Sequence, residues 1–190
     1  AYLHSHVAEN VAEVEWIGAL YPSHARYLDV YAQFGLLGRR ALYAHGIHLD
    51  DADFQLLHDS RTAIAHCPTS NNFLGSGLFS MHRARDPRRP VHVALATDLG
   101  GGTTFSMLRT MQAASEVAQL GGHPLSPSSA WWLATRGAAE ALDLGERIGA
   151  VEPGRDADLV VIDLRSTPLI DFRMQYIRGI EEALAVQFAL

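Results

Sequence analysis

The sequence is poor in cysteine and in positive charge. Cys67 is the only cysteine among 190 residues, so no internal disulfide can form and no oxidising compartment is indicated. Lys and Arg number 15 against 21 Asp and Glu, which gives a net charge of −6. Basic residues cluster once, in a stretch that an acid and a proline interrupt: Arg83, Arg85, Asp86, Pro87, Arg88 and Arg89. We interpret this stretch as an exposed loop and expect no nucleic-acid partner.

Long apolar runs are also missing. No apolar stretch approaches the roughly 20 residues that a membrane helix needs, and no signal peptide is recognisable. The composition is nevertheless 48% hydrophobic and 19% charged, which is enough to bury a core and excludes a disordered chain. We therefore expect a folded cytoplasmic protein with no membrane partner.

Both ends of the chain favour a piece of a longer protein. The sequence starts at Ala1, directly in a predicted strand and without an initiator methionine, and residues 183–190 form an apolar run with no polar tail. A length of 190 residues suits either one ordinary domain or part of a larger one. We expect a truncated chain.

Four short apolar segments, each followed by a helical pattern, set the fold class. The predicted strands cover residues 2–7, 41–46, 62–66 and 91–97. They are apolar on both faces and spaced for parallel crossovers, which predicts an α/β fold. A (β/α)8 TIM barrel takes about 250 residues, so four strand–helix units make half of one. We predict that residues 1–147 are its second half, strands 5–8 with their helices.

Local signals place several helix ends and one loop. The first helix should follow Glu9 and bury an apolar side made by Val11, Val14, Ile17 and Leu20. Predicted N-caps are Asp50 or Asp51, Thr103 or Thr104, and Ser126 followed by Pro127. Residues 67–77 have the small and polar composition of a loop, and residues 126–142 should form one helix.

The pattern changes after Ile148. Residues 148–154 predict a strand and turn, and residues 158–163 predict a buried strand flanked by acids. We expect residues 148–190 to be the exit from the barrel and part of a small β-sandwich appendage, with a closing helix.

Ionisable side chains stand where the predicted strands end. His6, His45, His66 and Asp98 occupy such positions, and Glu9 follows His6 by three residues. In parallel α/β folds, catalytic groups gather at the carboxyl ends of the strands. Imidazole and carboxylate together suit a hydrolytic Zn²⁺ or Fe²⁺, which brings the ionisation of water close to pH 7.

Each of these residues also has a purely structural interpretation. A lone histidine on an apolar strand is most often structural, Asp98 could cap the next helix, and His45 could be hydrogen-bonded inside the barrel. For His66 we favour a structural or supporting role. The His4–His6 pair could chelate one ion, but we take His6 as the ligand and His4 as a supporting residue that does not bind the ion. Cys67 has no base spaced for nucleophilic catalysis.

The motifs together resemble a known family. The order HVAE, AHG, HCPTSN and ATD is similar to the second half of the amidohydrolase superfamily, and TRGAAEALDL with IGAVEPGRDADLVVID is typical of its barrel exit. Within that superfamily, SHVAEN, LYPSHARYLDVYAQFGLL, AHCPTSNNFLGSG and TDLGGGTTFSML resemble the guanine deaminases. The resemblance covers residues 3–163.

This resemblance implies one Zn²⁺ with four ligands, of which His6 and Asp98 belong to this segment and two lie in a missing first half. It implies that Glu9 shuttles a proton to a purine ring, that Asp98 takes the proton of the attacking water, and that His45 hydrogen-bonds that water or the tetrahedral centre. The implied reaction converts guanine to xanthine and ammonia in purine catabolism, in a homodimer. The segment alone should be inactive.

Three alternatives stay open. The ion could be Fe²⁺, although we favour Zn²⁺. The substrate could be another ring, such as 8-oxoguanine or a triazine. The protein could also be a metal-free scaffold that kept the barrel without activity.

Overall fold

The four predicted strands form one parallel sheet. The computed structural model describes residues 1–190. The strands are β1 (Leu3–Val7), β2 (Ala41–His45), β3 (Ala63–His66) and β4 (Val93–Leu95). They pair in the order β1-β2-β3-β4, all parallel, with Val7 opposite His45 and His66 opposite Leu95. This register brings all four carboxyl ends to the same edge of the sheet.

Helices connect the strands and follow the last one. They are α1 (Val11–Leu20), α2 (Tyr27–Gln33), α3 (Asp51–Ser60), α4 (Pro68–Leu74), α5 (Met81–Ala84), α6 (Met107–Leu120), α7 (Pro127–Ala134), α8 (Arg136–Ala141), α9 (Pro168–Met174) and α10 (Ile180–Ala189). The predicted alternation of strand and helix is confirmed, and with it the α/β class. None of these helices is long and apolar enough to cross a membrane.

The main core lies between the sheet and the helices. Its largest buried members come from both layers: Leu28, Tyr43, Phe54, Leu57, Ile64, Met111 and Leu133. β2, β3 and β4 are buried almost throughout, as parallel strands covered by helices should be. β1 is at one edge of the sheet, and of its five residues only Val7 is buried.

Two predicted helix starts are confirmed and one is wrong. Asp50 caps α3 by accepting a hydrogen bond from the Asp53 N–H at 2.8 Å, and Ser126 caps α7 with Pro127 in its first turn. For α6, however, the cap is Ser106 rather than Thr103 or Thr104. The reason is that the Thr104 hydroxyl accepts from the Ser106 N–H at 3.0 Å, which forms a turn one step before the helix.

The segment predicted as a loop contains a helix. α4 runs from Pro68 to Leu74 and ends at Gly75, whose φ of +70° is left-handed. Pro in the first turn and Gly just past the end are ordinary helix boundary signals, and they outweigh the polar composition between them.

The single helix predicted over residues 126–142 is two helices. Thr135 separates α7 from α8 with φ −128° and ψ −96°, which are not helical values. Its hydroxyl donates to the Trp131 carbonyl at 2.7 Å. The ring of Trp132 lies so close to Gly137 that a Cβ there would meet it at 2.5 Å, so glycine permits this tight corner.

The predicted β segments beyond Ile148 do not form strands. Residues 148–163 contain no strand, and Val160 and Val161 are 87% and 95% exposed. A strand needs a neighbour for its N–H and C=O groups, and no other strand lies beside this segment. The β-sandwich appendage is therefore not confirmed. At the end of the chain, α10 packs on α6 and α7. The division of the chain at residues 147 and 148 stays a prediction.

The first helix differs from its prediction in packing. α1 forms as expected, but none of its residues is buried, and Val11 and Leu20 are 57% and 54% exposed. Val14 and Ile17 are half-buried, and Val14 packs on the main core, so only part of the predicted apolar side is covered.

The arginine-rich stretch is less open than predicted. Arg83 belongs to α5, and both Arg83 and Arg89 contact the Asp51 carboxylate, at 3.0 and 2.6 Å. The same two guanidinium groups lie over the Phe54 ring. Arg88 pairs with Asp86 at 2.7 Å.

Candidate metal centre

Three side chains from three strand ends meet at the carboxyl edge of the sheet. His6 is near the end of β1, His45 ends β2, and Asp98 lies three residues beyond β4. One ligand atom of each lies within 4.8 Å of the others. Two imidazoles and a carboxylate at this separation form a donor set that suits zinc.

The backbone at these strand ends is unusual. Ala8, His45 and Asp98 have φ values of +46°, +73° and +46°, in a region that residues other than glycine seldom adopt. Such strained positions cluster at functional sites, where the surrounding structure holds them. Here the Gly46 N–H donates to the Val7 carbonyl at 2.9 Å, which ties the end of β1 to the turn after β2.

His45 is the most enclosed member of the group. It is 1% exposed, and its Nδ1 lies 2.8 Å from Oδ1 of the equally buried Asn71. With the Asn71 oxygen as acceptor, the ring proton is on Nδ1. Nε2 is buried without a hydrogen-bond partner, 3.7 Å from Glu9 Oε2 and 3.9 Å from Asp98 Oδ2. Buried polar atoms are rarely left unpaired, so this nitrogen fits a site that receives a ligand.

Glu9 stands beside the three-residue group. Its Oε2 faces His45, while the buried Ser76 hydroxyl donates to its Oε1 at 3.1 Å. It is not among the residues whose ligand atoms cluster within 4.8 Å. A carboxylate at this position lies within reach of a proton at the candidate metal site.

Glycines let the chain close around Asp98. A Cβ on Gly101 would stand 3.1 Å from Asp98 Oδ2 and 2.7 Å from the Ser70 hydroxyl. Gly100 has a φ of +124°, which side chains other than hydrogen rarely allow. These glycines therefore let the backbone pass close to the Asp98 carboxylate and the Ser70 hydroxyl.

The remaining histidines predicted near the site differ from one another. The His6 ring stacks on that of His45, with centroids 5.2 Å apart. His4 is exposed, two residues earlier on β1, and outside the group of ligand atoms. His66 is fully buried and stacks on Phe79 at 4.8 Å. Burial, with a smaller effect of His45, lowers the pKa of His66 to about 3 and keeps it neutral.

Cys67 lacks the features of a nucleophile. Burial raises the pKa of its thiol to about 12, with smaller contributions from the charges of Asp98 and Glu9. The thiol donates to the Ala65 carbonyl at 3.3 Å. The thiolate is therefore disfavoured near neutral pH.

Sequence reasoning missed two residues of this site. Asn71 orients His45, and Ser76 orients Glu9, yet both fall in the segment predicted as a loop. The only available signal was the dense run of small polar residues after His66. The structure thus brings together His6, His45 and Asp98 with Glu9 beside them, and leaves His4 and Cys67 out.

Comparison with known proteins agrees with this picture. Residues 1–187 match the amidohydrolase family. The chain is 42% identical over 189 residues to guanine deaminase of Escherichia coli, a match covering 100% of this chain and 43% of that protein. The chain therefore spans less than half the length of this curated relative.

Solved structures give the same result. The E. coli guanine deaminase structure has a TM-score of 0.96 at 42% identity and covers 100% of this chain and 44% of its own. Guanine deaminase from Bradyrhizobium japonicum has a TM-score of 0.94 at 31% identity, covering 100% and 46%. An adenosine deaminase from Xanthomonas campestris, solved with bound zinc, has a TM-score of 0.85 at 27% identity, covering 98% and 41%.

Proposed function

This chain belongs to the amidohydrolase family, and on that premise we propose that the whole protein is a zinc-dependent guanine deaminase. It adds water to guanine and releases xanthine and ammonia. The observation that carries this proposal is the convergence of His6, His45 and Asp98 within 4.8 Å, with Glu9 beside them. Relatives named guanine deaminase, matched across the full chain, support the choice of ring.

We also propose that the chain is the second half of the barrel. Four consecutive parallel strands in the order β1-β2-β3-β4 are what strands 5–8 of a (β/α)8 barrel would give. The chain covers 43% of the E. coli relative, which supports this placement. The two zinc ligands not found here then belong to the first half.

His6 and Asp98 would hold the zinc together with those two ligands. The imidazole of His6 and the carboxylate of Asp98 fit this ion, and the buried, unpartnered Nε2 of His45 beside them is free for the oxygen of the attacking water. When bound, zinc supplies Lewis acidity that brings the ionisation of water near neutral pH. Iron(II) is the less favoured alternative.

The side chains of this segment divide the proton transfers. Asp98 accepts the proton of the attacking water and passes it to the departing amine. Glu9, to which the Ser76 hydroxyl donates at 3.1 Å, accepts the second proton of the water and delivers it to the ring nitrogen next to the attacked carbon. His45 hydrogen-bonds the oxygen that adds to the ring, from the side opposite Asn71. The new C–O bond and the broken C–N bond thus leave xanthine and ammonia.

A direct assay tests the proposal. The full-length protein, loaded with zinc, is incubated with guanine while ammonia and xanthine are measured separately. We expect both products in equal amounts, and no turnover by residues 1–190 alone because they provide only two of the four ligands. Absence of both products from the zinc-loaded full-length protein would overturn the proposal.

A substrate panel resolves the alternatives on the same sample. Guanine, 8-oxoguanine, adenine and an aminotriazine are compared by kcat/KM. We expect guanine to lead, and a higher value for another ring would move the assignment to that ring. A full-length protein that folds but binds no metal would instead be the inactive scaffold. A homodimer in the cytoplasm remains our prediction for the whole protein.

A further inference from the structure

Two residues of the candidate site, His6 and Glu9, are held through their backbone by side chains from outside it. The Tyr31 hydroxyl of α2 donates to the His6 carbonyl at 2.8 Å. The Glu13 carboxylate of α1 accepts from the Glu9 N–H at 2.7 Å through Oε2. The Tyr27 hydroxyl donates to the other Glu13 oxygen at 2.8 Å.

These contacts lie on either side of a residue with an unfavourable backbone conformation. Between His6 and Glu9 lies Ala8, whose φ of +46° is a conformation that a residue with a Cβ seldom adopts. Such a turn persists only when neighbouring groups fix both of its sides. Tyr31 fixes the side of His6, and Glu13 fixes the side of Glu9.

The capping box of α1 is formed by Asn10 and Glu13, but it accounts for only part of the contacts of Glu13. In a capping box the third residue of the helix accepts from the N–H of the N-cap itself, here Asn10. That bond is long, at 3.4 Å, whereas the bond to Glu9 is 2.7 Å. Glu13 is therefore directed at the residue before the cap, which is the residue with the candidate catalytic carboxylate.

The tyrosines form one packed unit behind the site. The Tyr27 and Tyr31 rings meet edge to face at 5.3 Å, and Tyr31 packs on Tyr43 at 4.7 Å. Burial, and then the hydrogen bonds with Tyr31 and Glu13, raise the pKa of Tyr27, so its hydroxyl stays protonated and can donate. The Tyr43 hydroxyl is bound elsewhere, to the Leu36 carbonyl at 2.8 Å.

We propose that Glu13, Tyr27 and Tyr31 are positioning residues with two separable tasks. Tyr31 sets the place of the metal ligand His6, and the Tyr27–Glu13 pair sets the place of Glu9. The part that concerns Tyr27, Glu13 and Glu9 rests on the proposed function, because it is measured by kcat. The part that concerns Tyr31 and His6 is measured by zinc affinity and does not need guanine turnover.

The test uses three tyrosine-to-phenylalanine variants of the full-length protein. Zinc affinity, kcat, KM and the midpoint of thermal unfolding are measured for each. Tyr31→Phe should weaken zinc binding roughly 10- to 100-fold, as the loss of a group that orients a ligand does. Tyr27→Phe should leave zinc affinity unchanged and lower kcat about 10-fold or more, with KM little altered, because the carboxylate is misplaced.

Tyr43→Phe is the matched control. It removes one hydroxyl from the same aromatic unit without touching His6, Glu9 or Glu13, so zinc affinity and kcat should stay within about 2-fold of the wild type. A second control, Asn10→Ala, removes the α1 cap and should lower the unfolding midpoint while leaving kcat intact.

Two results would overturn the proposal. One is a zinc affinity of Tyr31→Phe equal to that of Tyr43→Phe. The other is a loss of kcat in Tyr27→Phe that merely follows the unfolding midpoint, as in Asn10→Ala. If the wild type binds zinc but releases no ammonia from guanine, the proposed function fails. The zinc affinity of Tyr31→Phe still tests whether Tyr31 positions His6.

Discussion

Replacing Glu9 by glutamine separates proton transfer from metal binding. Glutamine has the same shape and keeps an oxygen that can accept from the Ser76 hydroxyl, now 3.1 Å away. It removes the negative charge that lies 3.7 Å from His45 Nε2, and with it the ability to carry a proton. General acid–base groups contribute about 10²- to 10⁴-fold to rate, so we expect Glu9→Gln to lower kcat by that factor. This equals roughly 3–5 kcal/mol of barrier.

The zinc content of the same variant should not change. Glu9 is outside the group of His6, His45 and Asp98, whose ligand atoms lie within 4.8 Å of one another. Ammonia release and metal content are measured on one preparation of the full-length protein. Glu15→Gln removes the same charge from the exposed side of α1 and should leave kcat within about 2-fold. Loss of zinc from Glu9→Gln, or a kcat equal to that of Glu15→Gln, would refute the role given to Glu9.

Three further predictions concern metal removal and pH. Asp98→Asn should lose zinc together with activity, and retention of stoichiometric zinc by this variant would contradict its role as a ligand. Burial lowers the pKa of His66 from 6.5 to about 3. Its contribution to the free energy of unfolding is therefore fully present above pH 6.5 and is lost as pH falls toward 3. At pH 5 the free energy of unfolding should be lower by about 2 kcal/mol. An NMR titration in which His66 is protonated near pH 6.5 would exclude this effect. Burial raises the pKa of Asp53 from 3.8 to about 6, so its contribution is present below pH 3.8 and lost as pH rises to 6. Asp53→Asn should make the free energy of unfolding, measured by chemical denaturation, depend less on pH across that window. An unchanged dependence on pH would contradict the raised pKa.

The sequence was sufficient to predict the sheet and the ionisable side chains at the ends of its strands. Buried parallel strands leave continuous apolar runs, and an ionisable residue at the end of such a run is conspicuous. His45 and Asp98 were found in this way, whereas His6 lies on the mostly exposed strand β1 and was singled out by Glu9 three residues later. The parallel register explains why residues far apart in sequence meet. The roles of the individual residues rest on the resemblance to a family.

Contacts that depend on side-chain packing could not be predicted. The polar run after His66 is compatible with a loop or a short helix, and only the tertiary structure places Asn71 against His45. Tyr31 reads as an ordinary apolar helix position, although its hydroxyl reaches the His6 carbonyl, 25 residues away in sequence.

Intrinsic strand preference also proved insufficient where no partner strand exists. The run Leu159–Ile162 has high strand propensity, yet these residues remain outside any sheet, and Val161 is 95% exposed. β propensity expresses packing against neighbours rather than a backbone preference, so it fails for a segment without neighbours.

The most direct test of the central claim is a crystal structure of the zinc-loaded full-length protein, with the ion located by anomalous scattering at the zinc absorption edge. We predict one ion with a His6 nitrogen at about 2.0–2.1 Å and an Asp98 oxygen at about 2.0–2.2 Å. An ion bound elsewhere, or one that either His6 or Asp98 fails to reach, would contradict the proposed site and with it the deaminase mechanism.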